Sequence, residues 1–392
     1  MKPRYLSKPQ FAAELEKCLK CPAKPCAQAC PVKCSPHDFI AAAQKGDIKQ
    51  AAALIVAQNP LGEVCGLICP DKFCTRACLR QHIDAPIKIP QVQAEIMRRA
   101  REDNLLPPMQ NVAPNGKRIA IIGAGPSGIG AAAELIQHGF QVTIFEKNET
   151  IGGALNLIPQ MRLPREIIEA EWQYLAQNPL VEAYFKTTVA DYPTLLQQGF
   201  AAVIVAVGAQ KSRTLGIEGE NLLLDYTEYL QNPAHYATAG NVAIVGGGAA
   251  AVDCVLTAKA QGAANVEMFV RRRLSDMRIT ATERQALLEN QVDITTMTRV
   301  TRVVKSGNTL TAYTCKTRFN TDGRLEDVPQ TEIVRSDFAL IILALGATRA
   351  QEPTEAENIF YVGDFVGGGS TAVEALASGK QIAQEVAKKL KI

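Results

Sequence analysis

Nine of the eleven cysteines lie between Cys18 and Cys78, spaced as metal ligands are spaced. The first run is Cys18-x2-Cys21-x4-Cys26-x3-Cys30, followed by Pro31; the second is Cys65-x3-Cys69-x4-Cys74-x3-Cys78, with Pro70 after Cys69. A Cys-Pro step beside a CxxC-like run resembles ferredoxin-type ligation, and two 4Fe-4S clusters need eight ligands. Zinc is the rival, because CxxC pairs also make structural zinc sites; in a reducing compartment such clustering favours metal over disulfides. Zinc carries no electron and would be idle beside the redox cofactors indicated below. Cys34 and Cys315 read as small buried hydrophobes or surface thiols, and Cys254 lies in a helix without a CxxC partner, so a dithiol reductase is unsupported.

Two glycine turns carry a second kind of chemistry. Gly123-Ala124-Gly125-Pro126-Ser127-Gly128 follows an apolar strand and opens a helix, so backbone N–H groups and the positive helix end face a pyrophosphate that side chains would obstruct. Glu146 ends the next strand, where a carboxylate accepts hydrogen bonds from ribose hydroxyls. Gly152-Gly153 follow, as backbone passing close to a bulky cofactor requires. One such motif could merely make a tight turn, and Asp364 could merely be a charge at a helix start. The distant Gly363-Asp364, again between strand and helix, fits the ribityl-phosphate region of an FAD site.

The second turn is Gly246-Gly247-Gly248-Ala249-Ala250-Ala251, with Ala251 where a third glycine would stand. Val270 occupies the acidic position of the following strand, and Arg271, Arg272 and Arg273 come next. Guanidinium forks bind a 2′-phosphate that a carboxylate would repel, so NADPH is favoured over NADH. A solvated basic loop is the plainer reading, and Arg278 either completes the phosphate clamp or faces water.

The elements that must position these groups follow from pattern. Residues 1–110 contain helical stretches such as Pro36 to Gln44 and Pro90 to Arg101 and little alternation, which predicts a small helical domain. Asn104 to Asn115, with Pro107, Pro108 and Pro114, reads as a linker. Strand, turn, helix and strand then run from Lys117 to Glu146, and the order recurs from Asn241 to Val270. The fold class is α/β, with two nested Rossmann-like dinucleotide-binding domains for FAD and NADPH preceded by the helical iron–sulfur domain. The expected domains are 1–110 for two 4Fe-4S clusters, 111–235 for the first part of the FAD domain, 236–350 for the nicotinamide domain and 351–392 for the rest of the FAD domain.

At 392 residues, 47% hydrophobic and with a formal net charge of +3, the chain can bury two or three cores and shows no imbalance indicating nucleic acid. It has no apolar run of about 18 residues and no signal-peptide pattern after Met1. No membrane association and a cytoplasmic location are expected.

This pattern resembles one family: the small subunit of bacterial glutamate synthase and the amino-terminal half of dihydropyrimidine dehydrogenase, including its stand-alone bacterial flavin subunit. The likeness rests on the paired cysteine runs, the FAD fingerprint and Ile158-Pro159-Gln160-Met161-Arg162-Leu163-Pro164, and it spans nearly the whole chain. It implies Cys18, Cys21, Cys26 and Cys78 for one cluster, and Cys30, Cys69 and Cys74 with Gln93 for the other; Cys65 stays unassigned. Without it, Gln93 reads as a surface helix residue.

The FAD contacts expected are Gly123, Gly125, Pro126, Ser127, Gly128, Glu146, Lys147, Gly153, Arg162, Gly363, Asp364, Thr371 and Ala372. Those expected for NADPH are Gly246, Gly248, Ala249, Ala250, Arg271, Arg272 and Arg278. Ala249 departs from the family's aspartate, and Cys69 to Cys74 is one residue shorter than its usual spacing. No acid–base catalytic residue is expected, since hydride transfer needs alignment more than proton relays. The chain shows no TIM-barrel repeat and no FMN phosphate site, so substrate chemistry is expected either on a partner chain or on a free electron acceptor; the resemblance implies, as partner, an FMN and iron–sulfur subunit on a separate chain that reduces uracil or thymine. The rival readings are a glutamate synthase small subunit and a redox-sensing flavoprotein without turnover.

Overall fold

The computed structural model describes residues 5–109, 111–350, 352–353 and 356–390. It comprises two units. One is Met1–Asn156, Gln160–Gln210 and Thr348–Ile392; the other is Leu157–Pro159 and Lys211–Ala347.

The first unit begins with helices α1 (Lys8–Glu16), α2 (Pro25–Gln28), α3 (Pro36–Gln44), α4 (Ile48–Val56), α5 (Gly62–Ile68) and α6 (Ile89–Glu102). Local sequence starts them. Ser7 and Gln10 cap α1 reciprocally, Asp47 accepts from the Gln50 N–H at 2.8 Å to start α4, and Pro36 occupies the first turn of α3. Phe11, Phe39, Ile40, Ile55, Ile89 and Ile96 form their core, and Cys18, Cys26, Cys74 and Cys78 pack against or within it. Gly66 lets α5 and α6 touch, since a Cβ there would stand 2.5 Å from the Ala94 nitrogen.

The chain continues through β1 (Arg118–Ile122), α7 (Pro126–Gln137), β2 (Gln141–Phe145), α8 (Arg165–Ala176), β3 (Val181–Tyr184), α9 (Tyr192–Gln197) and β4 (Ala202–Val205). In the second unit follow β5 (Lys211–Ser212), β6 (Leu224–Asp225), α10 (Tyr226–Gln231), β7 (Asn241–Val245), α11 (Ala249–Ala260), β8 (Val266–Val270), α12 (Ala281–Glu289), β9 (Asp293–Thr296), β10 (Thr298–Ser306), β11 (Thr309–Phe319), β12 (Leu325–Asp327) and β13 (Ile333–Leu343). The short β14 (Ala347–Thr348) ends that excursion, and β15 (Ile359–Tyr361), α13 (Asp364–Gly367) and α14 (Ala372–Lys389) complete the first unit.

The first unit's sheet is parallel, in the order β15-β4-β1-β2-β3. Its central strand, Arg-Ile-Ala-Ile-Ile, is buried on both faces, as a covered parallel strand must be. The second unit's sheet runs β10-β11-β13-β7-β8-β9, parallel from β13 to β9 and antiparallel at β10, β11 and β13.

Two features differ from the expected domains. β6 pairs with Ile342 and Leu343 of β13, which puts residues 211–235 in the second unit rather than the first. The cysteine helices also do not separate from the FAD-type fold. Glu171 of α8 accepts the N–H groups of Glu63 and Val64 at 2.5 and 3.1 Å, so a buried carboxyl group caps α5 from another part of the chain. Lys380 of α14 donates to the Gln58 carbonyl at 2.7 Å, and Tyr174 to the Pro107 carbonyl at 2.8 Å. Among the described residues no helix is long and apolar enough to cross a membrane.

Candidate functional site

The first glycine turn is held by its neighbours in the chain and by Glu146. Gly123 has φ +105°, and a Cβ on Gly128 would stand 2.0 Å from the Gly123 carbonyl oxygen, so the turn closes only without side chains. Glu146 is buried at the end of β2. One oxygen accepts from the Ala124 N–H at 2.8 Å; the other accepts from the Asn148 backbone and side-chain amides at 2.9 and 2.8 Å. A carboxylate has about four acceptor positions, so one remains for a ribose hydroxyl. Lys147 is exposed beside it.

Gly152 donates to the Ala124 carbonyl at 2.8 Å, and a Cβ on Gly153 would lie 3.1 Å from the Gly125 Cα. Gly363 has φ +71°, and a Cβ there would meet Ser127 Oγ at 2.1 Å, which brings the last strand's end onto the first glycine turn. Next to it, burial raises the Asp364 carboxyl above its ordinary pKa, while the hydroxyl and N–H of Ser370 hydrogen-bond to it. Thr371 and Glu374 cap α14, with Ala372 its first residue. Pro126 and Ser127 open α7. Arg162 is half-buried, and nearby Arg165 donates to the carbonyls of Leu155 and Leu163. These glycine surfaces fit a dinucleotide that lies against backbone.

In the second unit Gly246 donates to the Phe269 carbonyl at 3.1 Å, and Gly248 precedes α11, whose first residues are Ala249 and Ala250. Arg278 donates its backbone N–H to the Gly247 carbonyl at 3.2 Å and is exposed. The Arg271 and Arg272 carbonyls are fixed by Thr317 Oγ1 at 2.8 Å and the Met297 N–H at 3.1 Å, while their side chains are exposed. Arg273 differs: its guanidinium lies over the Phe319 ring at 4.5 Å and pairs with Asp276 at 3.4 Å. The chain thus offers Arg271, Arg272 and Arg278 around the second turn, with no carboxylate at the end of β8.

Apart from Cys21, Cys254 and Cys315, the cysteines fall into two neighbourhoods, and all eleven are free thiols. Burial raises the Cys26 thiol's pKa, with Cys18 and Cys78 close enough to add to the effect. Cys21 heads a turn closed by Lys24. In the other neighbourhood Cys34 hydrogen-bonds to Cys30 and lowers its thiol to about 7. Cys69 is pushed well up by a hydrogen bond to Cys65, with Cys74 and Cys30 adding to it. Burial lifts Cys74 to about 12. Gln93 is buried on α6, and its Nε2 donates to the Gly62 carbonyl at 2.7 Å. Among the described residues no three His, Cys, Asp or Glu side chains converge closely enough for a single ion. A cubane, whose own atoms lie between its thiolates, holds its ligands farther apart. Cys26 also lies close enough to Cys74 to add to its shift, so the two groups adjoin, and adjoining groups of reduced thiols fit such clusters.

Residues 117–379 match the family described as pyridine nucleotide-disulphide oxidoreductase. The chain belongs to that family. Residues 2–105 match a second family, dihydropyrimidine dehydrogenase domain II, 4Fe-4S cluster. The chain is 30% identical to the NAD-dependent dihydropyrimidine dehydrogenase subunit PreT of Escherichia coli K12, across 95% of this chain and 92% of that one. It is 29% identical to the glutamate synthase [NADPH] small chain of Halomonas elongata, across 97% and 91%. Among solved structures, Mycobacterium tuberculosis FprA in complex with NADPH shares the fold, with a TM-score of 0.60 and 16% identity over 70% of this chain and 84% of that one.

This member of the pyridine nucleotide-disulphide oxidoreductase family is therefore an NAD(P)-linked flavin and iron–sulfur oxidoreductase with a helical iron–sulfur domain at its amino end. Sequence reasoning missed Glu171 as the cap of α5 and the thiol pairs made by Cys34 and Cys65. The i, i+4 spacing of Cys30 to Cys34 and Cys65 to Cys69 was the signal for those pairs, while nothing near Glu171 marked its role.

Proposed function

We propose that this chain is the electron-input subunit of a two-chain enzyme, taking hydride from NADPH and delivering single electrons to a partner that reduces uracil or thymine. The observation that carries the reading is the union of cysteine helices and FAD-type fold in one unit, with Glu171 capping the helix that bears Cys65 and leads into Cys69. When bound, the nicotinamide supplies a hydride, FAD a two-electron acceptor that releases electrons singly, and 4Fe-4S clusters one-electron acceptors.

The chain's own residues bind and orient. N–H groups of the turn Gly123–Gly128 and the start of α7 receive the FAD pyrophosphate, Glu146 receives a ribose hydroxyl, and Gly363 and Asp364 line the far end, with Lys147, Gly153, Arg162, Thr371 and Ala372 around them. Gly246, Gly248, Ala249 and Ala250 receive the nicotinamide dinucleotide, and Arg271, Arg272 and Arg278 its 2′-phosphate. Cys18, Cys21, Cys26 and Cys78 hold one cluster; Cys30, Cys69 and Cys74 with Gln93 hold the other.

Support for a partner subunit comes from the relatives, which are named as subunits of multi-chain enzymes. The PreT name favours a pyrimidine-reducing partner, and the glutamate synthase name supports the second reading, delivery to a large glutaminase-bearing chain. Anaerobic co-purification separates them, according to whether an FMN-type partner that reduces uracil or a glutaminase accompanies the chain. Anaerobic mixing with NADPH tests both against a turnover-free sensor: flavin bleaching slower than minutes removes the enzyme reading. Purified protein should contain about eight iron and eight acid-labile sulfide per FAD.

A further inference from the structure

Four of the cysteines stand in two hydrogen-bonded pairs, and each pair joins an expected cluster ligand to a thiol outside the ligand set: Cys30 with Cys34, and Cys69 with Cys65. Both additional thiols are buried, at 1% exposure each. The backbone brings the partners together. Cys65 lies in α5 and Cys69 follows the last residue of that helix, with the Cys69 N–H donating to the Cys65 carbonyl at 2.8 Å. Cys30 and Cys34 are joined by a turn in which the Lys33 N–H donates to the Cys30 carbonyl at 3.0 Å, and the N–H groups of Val32, Lys33 and Cys34 donate to the Cys30 sulfur. Cys65 is close enough to Cys34 for a charge on one to be felt at the other, so the two pairs adjoin.

Sulfur bound to iron has given up its proton, so once Cys30 and Cys69 are ligands only Cys34 and Cys65 can donate within the pairs. A thiol has one proton to give. Cys34 has a second acceptor in reach, the Ile55 carbonyl at 3.8 Å. A hydrogen bond to an ionised acceptor is roughly twice as strong as one between neutral groups, and burial away from water strengthens it further, so the proton turns to the ligand sulfur. Reduction adds a negative charge that the sulfurs share, and bonds donated to them favour the reduced form and raise the reduction potential. In the other set, Cys26 is bonded instead by the backbone N–H groups of Ala27 and His37.

We propose that Cys34 and Cys65 are thiol donors that raise the potential of the cluster held by Cys30, Cys69 and Cys74, through hydrogen bonds to Cys30 and Cys69, and that neither binds iron. Both act through the ligands and are positioning residues. The proposal rests on the electron-input reading above for its ligand set. Each thiol keeps its proton while the cluster gains or loses one electron, so no bond to sulfur forms or breaks.

The test is a redox titration of the anaerobically purified, cluster-loaded chain, followed by electron paramagnetic resonance. The signal that Gln93→Ala alters identifies the cluster of Cys30, Cys69 and Cys74. Cys34→Ala and Cys65→Ala should each keep the wild-type iron and sulfide and lower the reduced-to-oxidised ratio of that cluster about tenfold at a fixed ambient potential. For a one-electron couple this is a midpoint lower by about 59 mV, and the other cluster should not move. Cys34→Val fills the buried site without a donor and should repeat the shift, whereas Cys34→Ser keeps a donor and should recover most of it. Three results overturn the proposal: unchanged midpoints in iron-loaded Cys34→Val and Cys65→Ala, equal shifts of both clusters, or loss of iron from Cys65→Ala while Gln93→Ala alters neither signal, which would make Cys65 the fourth ligand. Iron-loaded wild type whose flavin NADPH does not bleach would sink the electron-input reading alone, and zinc in place of iron would sink both.

Discussion

At the end of β2 the chain places Glu146, buried and bonded to the first glycine turn; at the end of β8 it places Val270, also buried, and then the exposed Arg271 and Arg272. Both strands lead away from the same strand–turn–helix construction, so the backbone determines that a pyrophosphate can be received. The residue at the end of the following strand decides what the adjoining ribose carries. The turns also differ in tightness: Gly128 has no room for a Cβ, whereas Ala251 stands at the matching position in α11 and is fully buried.

The largest effect should come from the tight turn. Gly128→Val drives a side chain into the Gly123 carbonyl, and the expected outcome is protein without flavin, read as absorbance per chain; full FAD occupancy would show that the turn relaxes freely. Next, Arg271→Ala with Arg272→Ala should lower kcat/KM for NADPH and spare NADH. A charge-assisted pair is worth about 1.5–3 kcal/mol, and exposure puts each at the low end, so roughly tenfold is expected per guanidinium. Equal losses with both cofactors would end the contrast between the two strand ends.

Glu146→Gln keeps the shape but exchanges acceptors for donors next to Ala124 and Asn148. FAD affinity should fall by about 1–3 kcal/mol, the cost of an unmet buried polar group, measured by flavin release on dilution. The smallest effect concerns the cap that ties the cysteine helices to the first unit. Burial holds the Glu171 carboxyl well above its ordinary pKa despite its two N–H donors. The folded chain therefore keeps this proton to higher pH than the unfolded chain, and the stability it contributes falls as pH rises above about 4.3 toward the folded value. Glu171→Gln stays neutral, so the Tm of wild type minus that of the variant should decrease with rising pH across this window; a flat difference would mean that Glu171 is ionised in the folded protein.

Much of this was legible locally. Helix α3 begins at Pro36 and ends at Gln44 as the sequence indicates, and both strand–turn–helix units lie where glycines follow apolar runs. The antiparallel β10, β11 and β13 were not anticipated, because Thr- and Arg-rich strands with bulges, as between Val300 and Arg302, blur the period-two alternation. The unit boundary at 211 depends on a two-residue strand, β6, which carries too little pattern to read. Glu171 reaches a helix more than a hundred residues away in the chain, and a contact of that kind leaves no mark in local sequence.

The interrupted chain path of the first unit has a consequence for how the protein is made. β4 ends at Val205, but its sheet partner β15 begins only at Ile359, after the whole second unit has been synthesised. On a ribosome the nicotinamide-type unit is complete first, nearly all of it in the continuous segment Lys211–Ala347, while the FAD-type sheet waits with β4 as an open edge until β15 arrives. The step that closes the flavin fold is thus a late, long-range pairing, and β4 is the strand most exposed to wrong partners while the nascent chain waits.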